Sequence, residues 1–159
     1  MRPTYLPARR RALAALSVAF LAPLARAAGR ADATSILSSY GAAPEFQGID
    51  TWLNSGPLTI AALRGNVVMV HVWTHGCINC IHTLPHVVQW HENYKDRGLT
   101  VVGIHYAVGQ DNKFATWNAY QNRYWPTAYL VDRNGELVFK HAGEGLYEET
   151  ERAIQLLLA

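Results

Sequence analysis

The chain contains two cysteines, Cys77 and Cys80, separated by only two residues. The apolar, β-branched run 67–73 before them is typical of a buried parallel strand, and apolar residues follow in 81–94 near helical spacing. Cys77 is therefore predicted at a helix N-terminus, where free N–H groups and the helix dipole stabilise a thiolate. Cys80 lies one helical turn further on, close enough to form a disulfide. The spacing predicts a redox-active dithiol in which Cys77 attacks and Cys80 resolves the mixed disulfide.

Metal binding is one alternative for this pair. Zinc would need two further ligands, and since no other cysteine exists, both would have to be His or carboxylate. The chain has seven histidines. His82 and His86 are four residues apart on the predicted helix and His75 is near the cysteines, so a Cys/His copper or zinc site stays open as an alternative. We predict no metal, and no cofactor besides the Cys77–Cys80 disulfide.

A thiol-dependent peroxidase is the enzymatic alternative. Thr74 lies three residues before Cys77, as peroxidatic sites require, but the proline that such sites also need would fall at Val70, inside the strand. A non-enzymatic thiol chaperone is a third class, which would bind partners without needing both cysteines.

The first 27 residues have the order of a bacterial secretory signal. Arg2 and the run 9–11 are basic, 12–22 is apolar but short for a bilayer span, and 25–27 fits a small-x-small cleavage site. We expect a periplasmic or secreted protein, exported by the Sec or twin-arginine route. An uncleaved amphipathic anchor is the alternative.

Removal of this segment changes the charge of the chain. The full sequence carries a formal net charge of +2, but five of its basic residues lie in 1–27, which leaves nine basic and twelve acidic residues. No basic patch remains, so we expect no nucleic-acid partner. The rest suits one domain with a single core: a linker, 28–45, and a folded domain, 46–159.

Strands and helices alternate along the domain. Strands are predicted at 67–73, 99–105, 128–131 and 137–142, and helices at 81–94, 114–121 and from Tyr147 to Leu158. A short helix at 35–40, a hairpin or edge strands at 46–53 and a tight Asn134–Gly135 turn complete the prediction. The alternation predicts a parallel sheet, to which the last hairpin adds one antiparallel strand.

Several longer stretches carry a family resemblance. They are Trp52-Leu53-Asn54-Ser55, Leu63-Arg64-Gly65, Trp73-Thr74 with Cys77-Ile78-Asn79-Cys80, Thr83-Leu84-Pro85-His86, residues 115–120, Tyr124-Trp125-Pro126-Thr127 and Gly143-Glu144-Gly145. Through them the chain resembles the thioredoxin-like superfamily, in particular secreted oxidoreductases of the TlpA and redoxin type and the thioredoxin-like domain of DipZ-type electron carriers. The fold implied is an α/β sandwich with a central mixed sheet and helices on both faces.

The resemblance also implies roles for residues around the cysteines. Trp125–Pro126 would be a cis-proline loop that faces Cys77 and binds substrate, and Trp73 would pack beside the disulfide. Glu144 is a candidate modulator in a loop that approaches the site in relatives, although a solvated carboxylate is the simpler alternative. His71 stands where relatives often have Asp or Asn, so it either accepts the Cys80 proton or is a satisfied core histidine.

The function implied is a protein-disulfide oxidoreductase. We expect a monomer that reduces protein disulfides, receives electrons from a membrane carrier of the DipZ type and serves in cytochrome c maturation or a related process. One departure from the family is a shortening between the second strand and second helix, after Tyr106. The remaining crossover is near the minimum for a βαβ unit.

Overall fold

The computed structural model describes residues 36–105 and 111–159. The elements are, in chain order, β1 (Val67–Trp73), α1 (Ile78–Tyr94), a short 3-10 helix (Lys95–Arg97), β2 (Leu99–His105), α2 (Ala115–Ala119), β3 (Thr127–Val131), β4 (Leu137–Ala142) and α3 (Tyr147–Leu158). The predicted signal segment lies outside the described residues. So do residues 106–110, within the predicted shortening.

The four strands form one mixed sheet in the order β2-β1-β3-β4. β1 and β2 are parallel, whereas β3 runs antiparallel to β1, and β4 antiparallel to β3. The prediction that the third strand is parallel is therefore wrong. A parallel crossover needs a connection long enough to return along the sheet. Because α2 spans only the five residues Ala115–Ala119, β3 begins at the same end of the sheet at which β2 ends. It therefore runs in the opposite direction to β1 and β2.

Helices and loops cover both faces of the sheet, which confirms the predicted sandwich. On one face, Met69 of β1 belongs to a buried cluster with Trp90 of α1 and Ile154 of α3. On the other face, Val70 belongs to a second cluster with Tyr120, which follows α2. Burial of each such large apolar side chain contributes about 1.5–3 kcal/mol to folding. Across residues 36–105 and 111–159, no helix is long and apolar enough to cross a membrane.

The predicted Asn134–Gly135 turn joins β3 to β4. The Asp132 carboxylate accepts hydrogen bonds from the N–H groups of Asn134 and Glu136, both at 2.9 Å. Gly135 donates its N–H to the Asp132 carbonyl at 3.0 Å and has φ 87°, a left-handed conformation that favours glycine. The turn is thus formed by residues within four positions of one another.

The N-terminal part of the described chain differs from the prediction. Residues 36–40 are not helical; Ser38 and Tyr40 instead donate their N–H groups to carbonyls of β4, each at 2.9 Å. The described part of the predicted linker therefore runs along the sheet edge. The predicted hairpin at 46–53 is also absent. Phe46 and Trp52 pack edge to face, 5.8 Å apart, and both join the core on the α2 side, so aromatic burial replaces strand pairing.

Candidate functional site

Cys77 is the N-cap residue of α1. Its backbone is extended, and its Sγ accepts a hydrogen bond from the Cys80 N–H at 3.3 Å. The thiol is partly exposed and donates to the Trp125 carbonyl at 3.7 Å. An N–H donor at a helix start stabilises a thiolate. The structure therefore places Cys77 in an environment suited to the predicted attacking thiol.

Cys80 lies in the first turn of α1 and is fully buried. Both cysteines are free thiols. Burial, followed by the hydrogen bond with Cys77, raises the pKa of the Cys80 thiol to about 12. Cys80 is therefore protonated at neutral pH and has to lose its proton before it can attack, as expected of a resolving thiol.

The loop at residues 124–126 faces Cys77, as predicted. The Trp125–Pro126 bond is cis. The Trp125 ring packs on Trp117, with the ring centroids 4.5 Å apart. The Pro126 carbonyl accepts the Gly143 N–H at 2.8 Å, and Thr127 bonds the Tyr124 carbonyl through its hydroxyl. The loop is thus attached on both sides and presents the Trp125 carbonyl to the Cys77 thiol.

Trp73 closes β1 just before the cysteine loop. Its ring packs edge to face against His105, with centroids 4.5 Å apart, and its Nε1 lies over Gly103. A Cβ on Gly103 would come within 3.3 Å of that nitrogen, so the glycine makes room for the indole. Trp73 is partly exposed at the edge of the site.

His105, which no sequence pattern identified, contacts the cysteine loop directly. Its Nε2 accepts the His75 N–H at 3.0 Å, and the side chain is buried. The sequence signal for His105 was a polar residue at the end of an apolar strand. Parallel pairing places this residue beside Trp73, which precedes the cysteine loop.

Asp111 is the second residue that was missed. It is buried, and its carboxylate accepts the N–H groups of Thr116 and Trp117 at 3.3 and 2.8 Å. These bonds fix the start of α2 and hence the ring of Trp117, against which Trp125 packs. An aspartate shortly before a short helix is typical of such capping.

His71 lies at the centre of the sheet, only 1 % exposed. It alternates with Val70 and Val72, which face α2, so its side chain lies on the α1 side. Burial lowers the pKa of His71 to about 4, which keeps the imidazole neutral. Its Nε2 has no hydrogen-bond partner within the described part of the chain. The modulating role of His71 and the alternative of a satisfied core histidine therefore both stay predictions.

Glu144 lies in the loop between β4 and α3, near α1. Its two carboxylate oxygens lie 3.2 and 3.4 Å from Nδ1 of His82, and both side chains are exposed. His86 instead stacks on Tyr147, with ring centroids 3.7 Å apart. Among residues 36–105 and 111–159, no three His, Cys, Asp or Glu side chains are close enough together to hold a metal ion.

Apolar side chains are exposed on both segments that flank the Cys77 thiol. Ile78 directly follows Cys77 and is 64 % exposed, and Ile81 is 38 % exposed. Tyr124, in the cis-proline loop, is 63 % exposed. The start of α1 and the cis-proline loop therefore each carry exposed apolar side chains next to Cys77 or Trp125 in the sequence.

The chain is similar in sequence to known proteins. Residues 41–143 match the model of the AhpC/TSA family. DipZ of Mycobacterium tuberculosis is 39% identical over 80% of this chain, which spans only 22% of DipZ. The thiol-disulfide oxidoreductase YkuV of Bacillus subtilis is 26% identical, over 73% of this chain and 93% of YkuV.

A solved structure described as a DsbE-type thiol:disulfide interchange protein from Chlorobium tepidum superposes with a TM-score of 0.66. It covers 77% of this chain and 99% of its own, at 24% identity, and supports the fold. The predicted relationship to thiol–disulfide oxidoreductases is confirmed by these relatives. The chain belongs to the AhpC/TSA family and contains a thioredoxin-like domain homologous to part of DipZ.

Proposed function

We propose that the protein reduces disulfide bonds of other proteins through the Cys77–Cys80 dithiol, with no further cofactor. The difference between the two thiols carries the proposal. Cys77 is partly exposed and accepts a backbone N–H, whereas Cys80 is buried and its pKa is raised to about 12. One thiol can therefore meet a large substrate, and the other can reach only Cys77.

The exchange balances in two steps. The Cys77 thiolate attacks one sulfur of the substrate disulfide, that S–S bond breaks, and the first substrate thiolate leaves and takes up a proton. Cys80 then loses its proton and attacks the Cys77 sulfur, which releases the second substrate thiolate. The substrate gains two electrons, and Cys77 and Cys80 end as a disulfide.

The cis-proline loop is the proposed substrate platform. The Trp125 carbonyl is directed at Cys77, and Ile78 and Tyr124 offer exposed apolar surface on either side. A polypeptide could bury these side chains while its sulfur approaches Cys77. Trp73, at the edge of the site, would border the bound chain.

The reductant and the compartment are also proposals. A free dithiol in an oxidising compartment needs an electron supply. The similarity to part of DipZ supports a membrane electron carrier of that type as the donor, and the n-, h- and c-region order of residues 1–27 supports export to the periplasm. Apocytochrome c is one acceptor consistent with this assignment. We propose that the protein acts as a monomer.

A trapping experiment tests the proposed reaction. Cys80→Ser should retain attack by Cys77 but fail to resolve, so incubation with oxidised insulin should leave a stable mixed disulfide at Cys77, detectable by peptide mass spectrometry. Cys77→Ser is the matched control and should trap nothing. The wild type should release reduced insulin chains when dithiothreitol regenerates the dithiol.

The peroxidase alternative predicts a different result. It would prevail if Cys80→Ser captured no disulfide substrate while the wild type consumed hydroperoxide at the expense of a small thiol.

A further inference from the structure

We propose that His105 is a positioning residue for Cys77, and that its imidazole must be neutral to hold the loop 74–77 in its reactive geometry. The inference rests on the proposed thiol–disulfide exchange. It concerns a histidine that lies 28 positions after Cys77 in the sequence, on a different strand.

The contacts of the cysteine loop carry the first step of the argument. The loop turns through a hydrogen bond from the Cys77 N–H to the Thr74 carbonyl at 3.3 Å. His75, within that turn, donates its backbone N–H to Nε2 of His105 at 3.0 Å. His105 thus attaches the loop to the end of β2, two residues before the reactive thiol.

The chemistry of this bond depends on protonation. Only a neutral imidazole has a nitrogen lone pair, and here that lone pair lies on Nε2, because Nε2 accepts the His75 N–H. Protonation would place a hydrogen on Nε2 and set two donors against each other, so the bond would be lost. Trp73 packs edge to face on the same ring and limits its freedom to turn away.

The surroundings of His105 determine the pH at which its imidazole becomes protonated. Burial lowers the pKa of His105, and the charge of the nearby His75 lowers it further. Asp111 lines the same small cavity, but its carboxylate oxygens are occupied by the N–H groups of Thr116 and Trp117. Cys77 is the remaining titratable group on the loop. The imidazole is therefore neutral at pH 7 and charges only below its ordinary value of 6.5.

His105 is also connected to the other side of the thiol. Its carbonyl accepts the Asp111 N–H at 3.3 Å. Asp111 fixes Trp117, which packs on Trp125, the residue whose carbonyl receives the Cys77 thiol proton. The side chain of His105 is thus bonded to the loop that carries Cys77, and its backbone is linked through Asp111 and Trp117 to the loop that faces it.

Two substitutions separate the acceptor from its titration. His105→Gln offers an amide oxygen near the Nε2 position that accepts the His75 N–H but does not titrate. His105→Leu offers no acceptor. His75→Gln is the control, because it removes the neighbouring charge and keeps the backbone N–H. The readout is the second-order rate of Cys77 with dipyridyl disulfide between pH 5 and 7.5.

His105→Gln should match the wild type at pH 7.5 and become roughly threefold to tenfold faster than it at pH 5, the factor that one lost hydrogen bond supplies. His105→Leu should be slower than His105→Gln by the same factor at every pH. His75→Gln should still react more slowly in acid, as the wild type does, but the decrease in rate should occur at a higher pH. Parallel profiles for wild type and His105→Gln would overturn the inference.

NMR of the wild type provides an independent test if a variant does not fold. The Nε2 of His105 should be unprotonated at pH 7, and the His75 amide resonance should shift with the titration of His105. A protonated Nε2 at pH 7, or a His75 amide that ignores that titration, would contradict the inference. Absence of any reaction at Cys77 in the wild type would instead contradict the proposed function, while the NMR result would still decide the role of His105.

Discussion

The cysteine loop, 74–77, and the hairpin turn, 132–136, are both short, yet different parts of the chain hold them. The hairpin turn is held by Asp132, whose partners are two and four positions away. The cysteine loop is attached to His105 and Trp125, which are 30 and 48 positions from their partners in the loop. The first turn can form from local sequence, whereas the second needs the assembled domain.

This difference has a consequence for reactivity. A turn made by its own residues keeps its shape when distant parts of the domain loosen. The environment of Cys77 instead depends on the end of β2 and the cis-proline loop being in place at the same time. Substitutions that disturb these distant elements should therefore change thiol chemistry, whereas substitutions in the hairpin should change only stability.

The largest effect is expected at Asp111, which supports the cis-proline loop through Trp117. Asp111→Ala leaves two N–H groups of α2 without an acceptor and should lower the free energy of unfolding by about 3 kcal/mol. The rate of exchange at Cys77 should also fall, because Trp117 and Trp125 lose their fixed positions. Urea unfolding and exchange kinetics measure the two effects. Asp111→Asn, which retains one acceptor, is the control, and an unchanged free energy for Asp111→Ala would contradict the assignment.

Acid should destabilise the domain through His71. The pKa of this imidazole is about 4 in the folded state, below its ordinary value of 6.5, so the unfolded chain binds the proton first. The stabilising contribution is thus complete above pH 6.5 and declines as the pH falls toward 4. The loss should reach about 2 kcal/mol at pH 5.

The measurement is the free energy of urea unfolding at pH 7.5 and pH 5, for the wild type and His71→Leu. The leucine variant should lose less stability in acid by the stated amount. Equal losses would show that His71 does not titrate differently in the two states. The hairpin turn contains no histidine, so it should not contribute to this loss of stability in acid.

The smallest effect is expected in the hairpin. Asp132→Ala removes the acceptor of two backbone N–H groups at an exposed turn and should cost about 1 kcal/mol of stability. The exchange rate at Cys77 should stay at the wild-type value, as should that of the control, Asp132→Asn. A slower exchange for Asp132→Ala would break the distinction between the two regions.

The same distinction explains what could be predicted from sequence. The strands 67–73 and 99–105 and the turn at Gly135 follow local patterns of burial and turn chemistry, and the structure has them at the predicted positions. The direction of β3 could not be read in this way, since it depends on how far a five-residue helix can carry the chain. The missing hairpin at 46–53 depends on aromatic packing against a distant face.

The candidate site divides in the same manner. Cys77, Cys80 and the cis-proline loop were identified because their residue types carry chemistry at fixed spacings or resemble a known motif. His105 and Asp111 act through single hydrogen bonds to partners that only the fold brings near. A lone histidine at a strand end and a lone aspartate before a short helix carry no such signature in the sequence.

The segment that runs beside β4 protects one side of the sheet from other molecules. Ser38, Tyr40 and Ala43 donate their N–H groups to β4 and the turn before it, and Leu137 donates back to the Gly41 carbonyl. These backbone groups at residues 135–138 are thereby already used, so a strand from a second molecule cannot add at that part of the margin. A chain shortened past Ala43 would expose this margin and would be more prone to self-association, although every residue of the thiol site would remain.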